Sequence, residues 1–444
     1  MSAFDYKLFI ISQALSELGD NLWGLGLRNY LFENSPWTPA LGLAAVFLLQ
    51  AIPVFFLGPW LSRSIGQRWR TMALAADILR LLVTIAFSIG LTFLAPRTGP
   101  TGIVYLLLAC QLLLEIGTLI FQNCKNCLIP VLYPNPADIP KAHLWANVAS
   151  LSAAGVVPLV FLIAMPSQGQ IRIEWLFWAA WIDAASFAIS GLALLFLRNS
   201  QRLQQIKISP EEKPSTNPIR QFKEGLQVVR KYPSIARLLV FSFIYNFCLM
   251  GPFEIGHVTF LRKDLSLPPE ALAINLLLFL AGVFSGTFLA QSLWGKSKSA
   301  SHLRRFSHSI VWDGLTFFPI CLFTFAKNKL SGETFLAGLS VLFFFHYMLV
   351  PFVKVSRMAS IQTLSEQKDW STLLGFHAVA VEGAAALSVI LVALLLPNAS
   401  GTVLLALGGT GASLCGGFGL LSLSKGYKDP VKCNNALNSI HVSD

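Results

Sequence analysis

Residues 198–237 read RNSQRLQQIKISPEEKPSTNPIRQFKEGLQVVRKYPSIAR, with nine Lys or Arg and with Pro210, Pro214 and Pro218. This stretch interrupts a chain that is otherwise a train of apolar runs. A bilayer core about 30 Å thick is crossed by roughly 20 apolar residues in a helix. Runs of that size lie upstream near 8–31, 40–61, 71–95, 102–124, 142–165 and 174–197. Others lie downstream near 237–261, 270–294, 306–326, 334–356, 372–395 and 401–424. Six spans fall on each side, so the polar stretch reads as a linker, with a short amphipathic helix expected near Phe222–Val229. The predicted fold class is an all-α polytopic membrane protein, with twelve transmembrane helices in two six-helix pseudo-repeats. The expected divisions are a first half at 1–197, a cytoplasmic linker at 198–236, a second half at 237–424 and a cytoplasmic tail at 425–444.

Composition excludes the competing classes. Apolar residues make up 54% of the 444 and charged residues only 12%, with a mean hydropathy of +0.62. Soluble domains carry about 25% charged residues, so this chain lacks the surface of a soluble enzyme. Seven Cys and 12% aromatics argue against a disulfide scaffold and against disorder. The formal net charge of +11 does not imply nucleic acid, because the basic residues sit between apolar runs and not on one water-facing domain.

Those basic residues set the expected orientation. With the N-terminus inside, the cytoplasmic segments hold 24 of the 33 Lys and Arg and the outer segments hold seven, leaving Arg80 and Lys354 within spans. Cytoplasmic loops collect such residues, so both termini are expected in the cytoplasm, in a bacterial inner membrane. The first apolar run continues into a full span without a small-residue cleavage site, so no cleavable signal peptide is expected.

The halves echo each other. Arg68-Trp69-Arg70 precedes Asp77 in the third span, and Arg304-Arg305 precedes Asp313 in the ninth. Corresponding helices then run in the same direction, as in parallel repeats about an axis along the membrane normal.

Several motifs carry a family resemblance. The first span holds Ser16-Glu17-Leu18-Gly19-Asp20. The loop after the second reads Gly58-Pro59-Trp60-Leu61-Ser62-Arg63, followed by Gly66 and Arg68. The third span holds Ala76-Asp77-Ile78-Leu79-Arg80, and Pro130 with Ala146-Asn147 flanks the passage from the fourth span to the fifth. These resemble the major facilitator superfamily, in particular its drug and siderophore exporters of the macrolide-efflux and enterobactin-exporter kind. Gly19-Asp20-Asn21-Leu22-Trp23 also resembles the first helix of ferroportins, without the tryptophan-containing fifth-helix motif expected there. The resemblance implies a gating loop at Gly58, Arg63, Gly66, Arg68, Asp77 and Arg80. Ser62 stands where the superfamily signature has a carboxylate, which implies a weaker inward latch or one that uses Asp77. It further implies that spans one, four, seven and ten line a central cavity.

Ionisable groups in hydrocarbon cost roughly 2.5–3.5 kcal/mol each on insertion scales and normally face a bundle interior or a watery cavity. Candidate substrate or proton sites are Asp20, Gln111, Glu115, Gln122, Glu254, His257, His346 and Glu382. Gln111, Glu115 and Gln122 share one helix face by spacing, either as a hydrogen-bond ladder or as a cavity wall. Gly19, Gly24 and Gly26 around Asp20 permit close packing or a local break. Gly251-Pro252 beside Glu254 and His257 predicts a kinked or broken seventh span. Asp20, Glu254 and His257 form the alternative, metal-binding set. Glu382 and Lys354 are expected to pair across the bundle, and Asp77 with Arg80 to form a helix-local salt bridge. Asp183 and Asp313 lie on support helices and read as structural.

Cys124-Lys125-Asn126-Cys127 has metal or redox spacing but no second pair. The chain shows no phosphate-binding Gly-rich loop and no nucleophile–His–acid set, so neither an enzyme nor a bound cofactor is expected. The leading expectation is proton-coupled export of a small amphiphilic organic solute by a monomer in the lipid bilayer. Its pocket would be walled by aromatics such as Trp23, Phe243, Phe279, Phe343–Phe345 and Tyr347. A divalent-metal exporter is the runner-up, and a non-transport receptor or scaffold is the reading outside that class.

Overall fold

The computed structural model describes residues 3–64, 69–132, 146, 148–149, 155–156, 173–196, 218–267, 270–294, 300–366 and 369–424. Every expected span except the fifth falls on a described helix. In the first half these are Ala3–Asn34, Pro39–Ser64, the run Trp69–Leu132 that holds spans three and four, and Ile173–Phe196. Spans three and four are separated at Gly99, which takes φ 66°, ψ −176°. Only glycine enters that region readily, and Pro100 follows to start the next helix.

In the second half, span seven is Pro233–Thr259 with a π-turn at Phe260–Asp264, and span eight is Glu270–Trp294. Span nine runs from Ala300 through Ala326, span ten is Gly332–Leu364, and span twelve is Gly401–Ser424. Span eleven is helical over Trp370–Ala378 and Ala384–Leu395, with a π-turn at Val379–Gly383 between them. Hydrocarbon offers no partner for backbone N–H and C=O, so apolar runs of this length close their hydrogen bonds within one helix. Phe56, Phe325, Leu395 and Phe418 are strongly exposed, as side chains turned to lipid would be.

The repeat is visible in the packing. Span one packs on span six as seven packs on twelve, and three packs on six as nine packs on twelve. Each half has its own core: Trp23, Leu27, Phe87, Leu107 and Phe187 in the first, and Leu238, Phe260, Phe306, Phe343 and Tyr347 in the second. A smaller seam joins them. Ala44, Phe47 and Ala51 of span two meet Ile255 of span seven, Ala386, Val389 and Ala393 of span eleven, and Leu404 of span twelve. The Phe55 ring lies against Gly383, where a side chain would collide with it.

Two local expectations are corrected. Span seven is not broken at Gly251-Pro252; the helix is continuous, and the Gly251 N–H donates to Ser388 Oγ of span eleven at 2.9 Å. Ser388 thereby accepts at the point where proline disturbs the helix. Nor is span one broken at its glycines. Gly19 sits against Asp183 and Ser186, and Gly26 against Trp175, so both serve close helix packing.

The amphipathic helix expected in the linker is present as Pro218–Lys231. It rests on the start of span eleven, with Phe222 and Phe376 rings 5.4 Å apart, and it also touches span two. Lys231 Nζ binds Glu366 at 2.8 Å and Asp369 at 3.1 Å, while the Tyr232 hydroxyl donates to Asp369 at 2.7 Å. The Glu366 hydrogen bond, with those of Tyr232 and Asp369, holds the Lys231 ammonium above its ordinary range.

Candidate functional site

The first half brings together three aspartates and one arginine. Arg80 of span three is buried, at 1% exposure. It forms an ion pair with Asp77 one helical turn away, and it reaches Asp20 of span one at 3.4 Å. Its guanidinium is held between the rings of Phe121 and Phe187, at 4.5 and 4.2 Å from their centroids. Cation–π contacts of this kind fix a desolvated arginine.

Asp183 of span six is fully buried within electrostatic reach of both Asp20 and Arg80. Its carboxylate lies against Gly19, whose missing side chain admits it. The nearby Ser186 hydroxyl donates to the Asp183 backbone carbonyl at 2.7 Å and lies beside the carboxylate as well. Neither Asp183 carboxylate oxygen has a hydrogen-bond partner among the described residues, and neither does the Ser16 hydroxyl one turn before Asp20. Three carboxylates therefore gather at one guanidinium, with Asp77 and Asp183 fully buried, where an unbalanced charge is expensive.

Asp77 and Arg80 lie inside span three, beyond the loop that precedes it. Span three begins at Trp69, and Asp77 lies eight residues further on, roughly 12 Å deep at 1.5 Å per residue. Gly58 is buried near the end of span two. Arg63 lies in the same helix with its side chain outside the described residues, as do Gly66 and Arg68 altogether.

Beside the aspartates runs a hydrogen-bond ladder. The Trp23 indole donates to Gln111 at 2.7 Å, and the Gln111 amide donates to Glu115 at 2.6 Å, tying span four to span one. Gln50 of span two stands beside Glu115. Gln122, two turns further along, is half-buried.

A second charged group bridges the halves. Glu17 pairs with Lys125 at 2.5 Å, and Lys354, Arg357 and Glu382 stand within electrostatic reach from spans ten and eleven. Lys354 and Glu382 lie within the thickness of the protein yet have exposed side chains, so they line the space between the halves. The expected direct pairing of Glu382 with Lys354 is not found. Glu382 sits in the π-turn of span eleven, facing Arg357 as well as Lys354.

On the opposite side of the membrane, Arg28 of span one meets Glu254 of span seven at 3.7 Å. His257 stacks on Phe253, with centroids 5.2 Å apart. Its Nε2 lies 3.5 Å from the Tyr347 hydroxyl, which donates to Asn275 at 2.5 Å. His346 is packed, at 2.8 Å from Thr316 and 3.5 Å from Asp313, which in turn accepts from Tyr245 at 2.6 Å. Asp20, Glu254 and His257 do not form one metal-binding group; among the described residues no three His, Cys, Asp or Glu converge that way.

Of the expected aromatic wall, Trp23, Phe343 and Tyr347 are buried in the cores of the two halves and Phe345 points outward, while Phe243, Phe279 and Phe344 are half-buried. Spacing along the chain could not reveal Asp183 as a member of the aspartate group. Its one signal was a lone carboxylate in an otherwise apolar span.

No protein-family model matches this chain, and no curated protein does. Solved structures do. A bacterial homologue of the iron transporter ferroportin, in an outward-facing state, is 14% identical with a TM-score of 0.70, over 95% of this chain and 100% of that one. The human organic anion transporter MFSD10 (TETRAN) is 13% identical with a TM-score of 0.64, over 94% and 98% of the two chains. The E. coli fucose:proton symporter FucP is 12% identical with a TM-score of 0.59, over 94% and 98%.

Proposed function

From a major facilitator fold that joins two six-helix halves across a charged space, we infer a secondary active transporter that works by alternating access. The halves rock about the Ala-rich seam between spans two and eleven, and the cargo is held between them. Coupling is to a cation, by our reading the proton, taken up by Asp20, Asp77 and Asp183 around Arg80. The observation that carries this is the buried Asp183 carboxylate without a hydrogen-bond partner among the described residues, beside an arginine already engaged by Asp77 and Asp20. The transporter is read as a monomer in the bilayer with both termini in the cytoplasm, and its direction as export.

The large rings close the cores, while the space between the halves is left to Glu17, Lys125, Lys354 and Glu382. A small polar or charged organic cargo therefore fits better than an amphiphilic one. The test is transport in proteoliposomes. Asp183→Asn and Asp20→Asn should abolish uphill transport driven by a pH gradient while downhill exchange persists. Full uphill transport in both variants would remove the aspartate group from coupling.

A second reading, transport of a divalent metal, is supported by the excess of two carboxylates over the single guanidinium. It predicts saturable metal binding by calorimetry that Asp183→Asn and Asp20→Ala each abolish. Absence of such binding in the wild-type protein would reject it.

A further inference from the structure

We propose that the space between the two halves holds a binding site for a small carboxylate-bearing solute, whose anionic group is received by Lys354 and Arg357 of span ten. This rests on the transporter reading above and names the class of its cargo.

Lys354 and Arg357 follow Pro351 on one helix and stand three apart, so they share a face. Arg357 is 7% exposed, and its Nε and Nη1 have no hydrogen-bond partner among the described residues. An arginine left with open donors in a low-dielectric setting is unusual, since a buried charge is normally both paired and hydrogen-bonded. Lys354 has its side chain open to the interior space. Nearby acids do not quench the two cations. Glu17 is engaged by Lys125 at 2.5 Å, and Glu382 alone faces Lys354 and Arg357 together. His377, which faces the same pair, also has a buried Nε2 without a partner among the described residues.

Two fixed cations against one carboxylate leave room for one negative charge. A carboxylate is the natural complement, because its two oxygens match the planar donors of a guanidinium while an ammonium beside it adds an unoriented charge. The site also lies where the other half can respond to it. Glu115 of span four is within electrostatic reach of both Glu382 and Asp20.

The experiment is equilibrium binding to the purified full-length protein. The probes are benzoate, citrate and glutamate, with benzyl alcohol as a neutral analogue of benzoate and inorganic phosphate as an anion without a carboxylate. At least one carboxylate should bind saturably and raise the thermal midpoint, while benzyl alcohol does neither. Lys354→Gln, at an exposed position, should weaken that binding tenfold or more. Arg357→Lys, which keeps the charge but loses the planar fork, should weaken it by a similar factor. Saturable binding of phosphate alone, no saturable carboxylate, or unchanged affinity in Lys354→Gln would each overturn the proposal. If Arg357→Lys does not fold, the Lys354 variant decides. Carboxylate binding that survives while Asp183→Asn leaves uphill transport intact would reject the coupling reading and not this site. Loss of coupling in Asp183→Asn without any carboxylate binding would do the reverse.

Discussion

At the scale of single residues, Arg80 has the greatest leverage. Removing one member of a buried ion pair typically costs about 3–5 kcal/mol, because the partner stays behind as an uncompensated charge. Arg80→Gln would strand Asp77, Asp20 and Asp183 together. Little folded protein should be recovered at neutral pH, judged by size-exclusion monodispersity, and adding Asp77→Asn should restore a substantial part of it. A single variant that is fully folded and thermally unchanged would show that the aspartates do not depend on the guanidinium. The Trp23–Gln111–Glu115 ladder works at a smaller scale. Trp23→Phe keeps the ring against Phe87 but removes the indole donor and leaves the buried Gln111 oxygen without it, so stability should drop by about 1–3 kcal/mol, read as a lower midpoint of thermal unfolding.

At the scale of elements, the approach of span seven to span eleven depends on what is missing. A side chain at Gly251 would meet the backbone and hydroxyl of Ser388, so neither helix can yield without moving as a whole. Gly251→Leu should therefore lower the thermal midpoint sharply. Ser388→Ala, which removes only the acceptor of the Gly251 N–H, should lower it slightly. Equal effects of the two would mean that packing is not the constraint. This junction also shows what a sequence conceals. Gly251-Pro252 carried the local signs of a kinked or broken helix, and the hydroxyl that meets the Gly251 N–H lies 137 positions further on. The spans themselves were legible because hydrocarbon thickness converts directly into run length, and the linker helix because its two faces differ. Asp20 and Glu115 stood out as mid-span acids in apolar helices. The grouping of Asp20 with Asp183 was not legible, since it arises from how spans one and six cross at Gly19.

At the scale of the whole molecule, the expected orientation rests on the 24-to-7 asymmetry of basic residues. A cysteine introduced at Ser215 should resist an impermeant maleimide applied to intact cells, and one at Gln168 should react. The opposite pattern would invert the topology. The docking of Pro218–Lys231 on span eleven has a further consequence. The helix is anchored at its far end by Lys231 to Glu366 and Asp369, so it keeps company mainly with the second half even though it is threaded between the two. The covalent join upstream of it is then dispensable to assembly. Two genes, one ending near residue 208 and one beginning there, should yield fragments that find each other in the bilayer and co-purify. A pair of fragments broken instead after Lys231 would leave this helix on the wrong polypeptide, and should reassemble in lower yield.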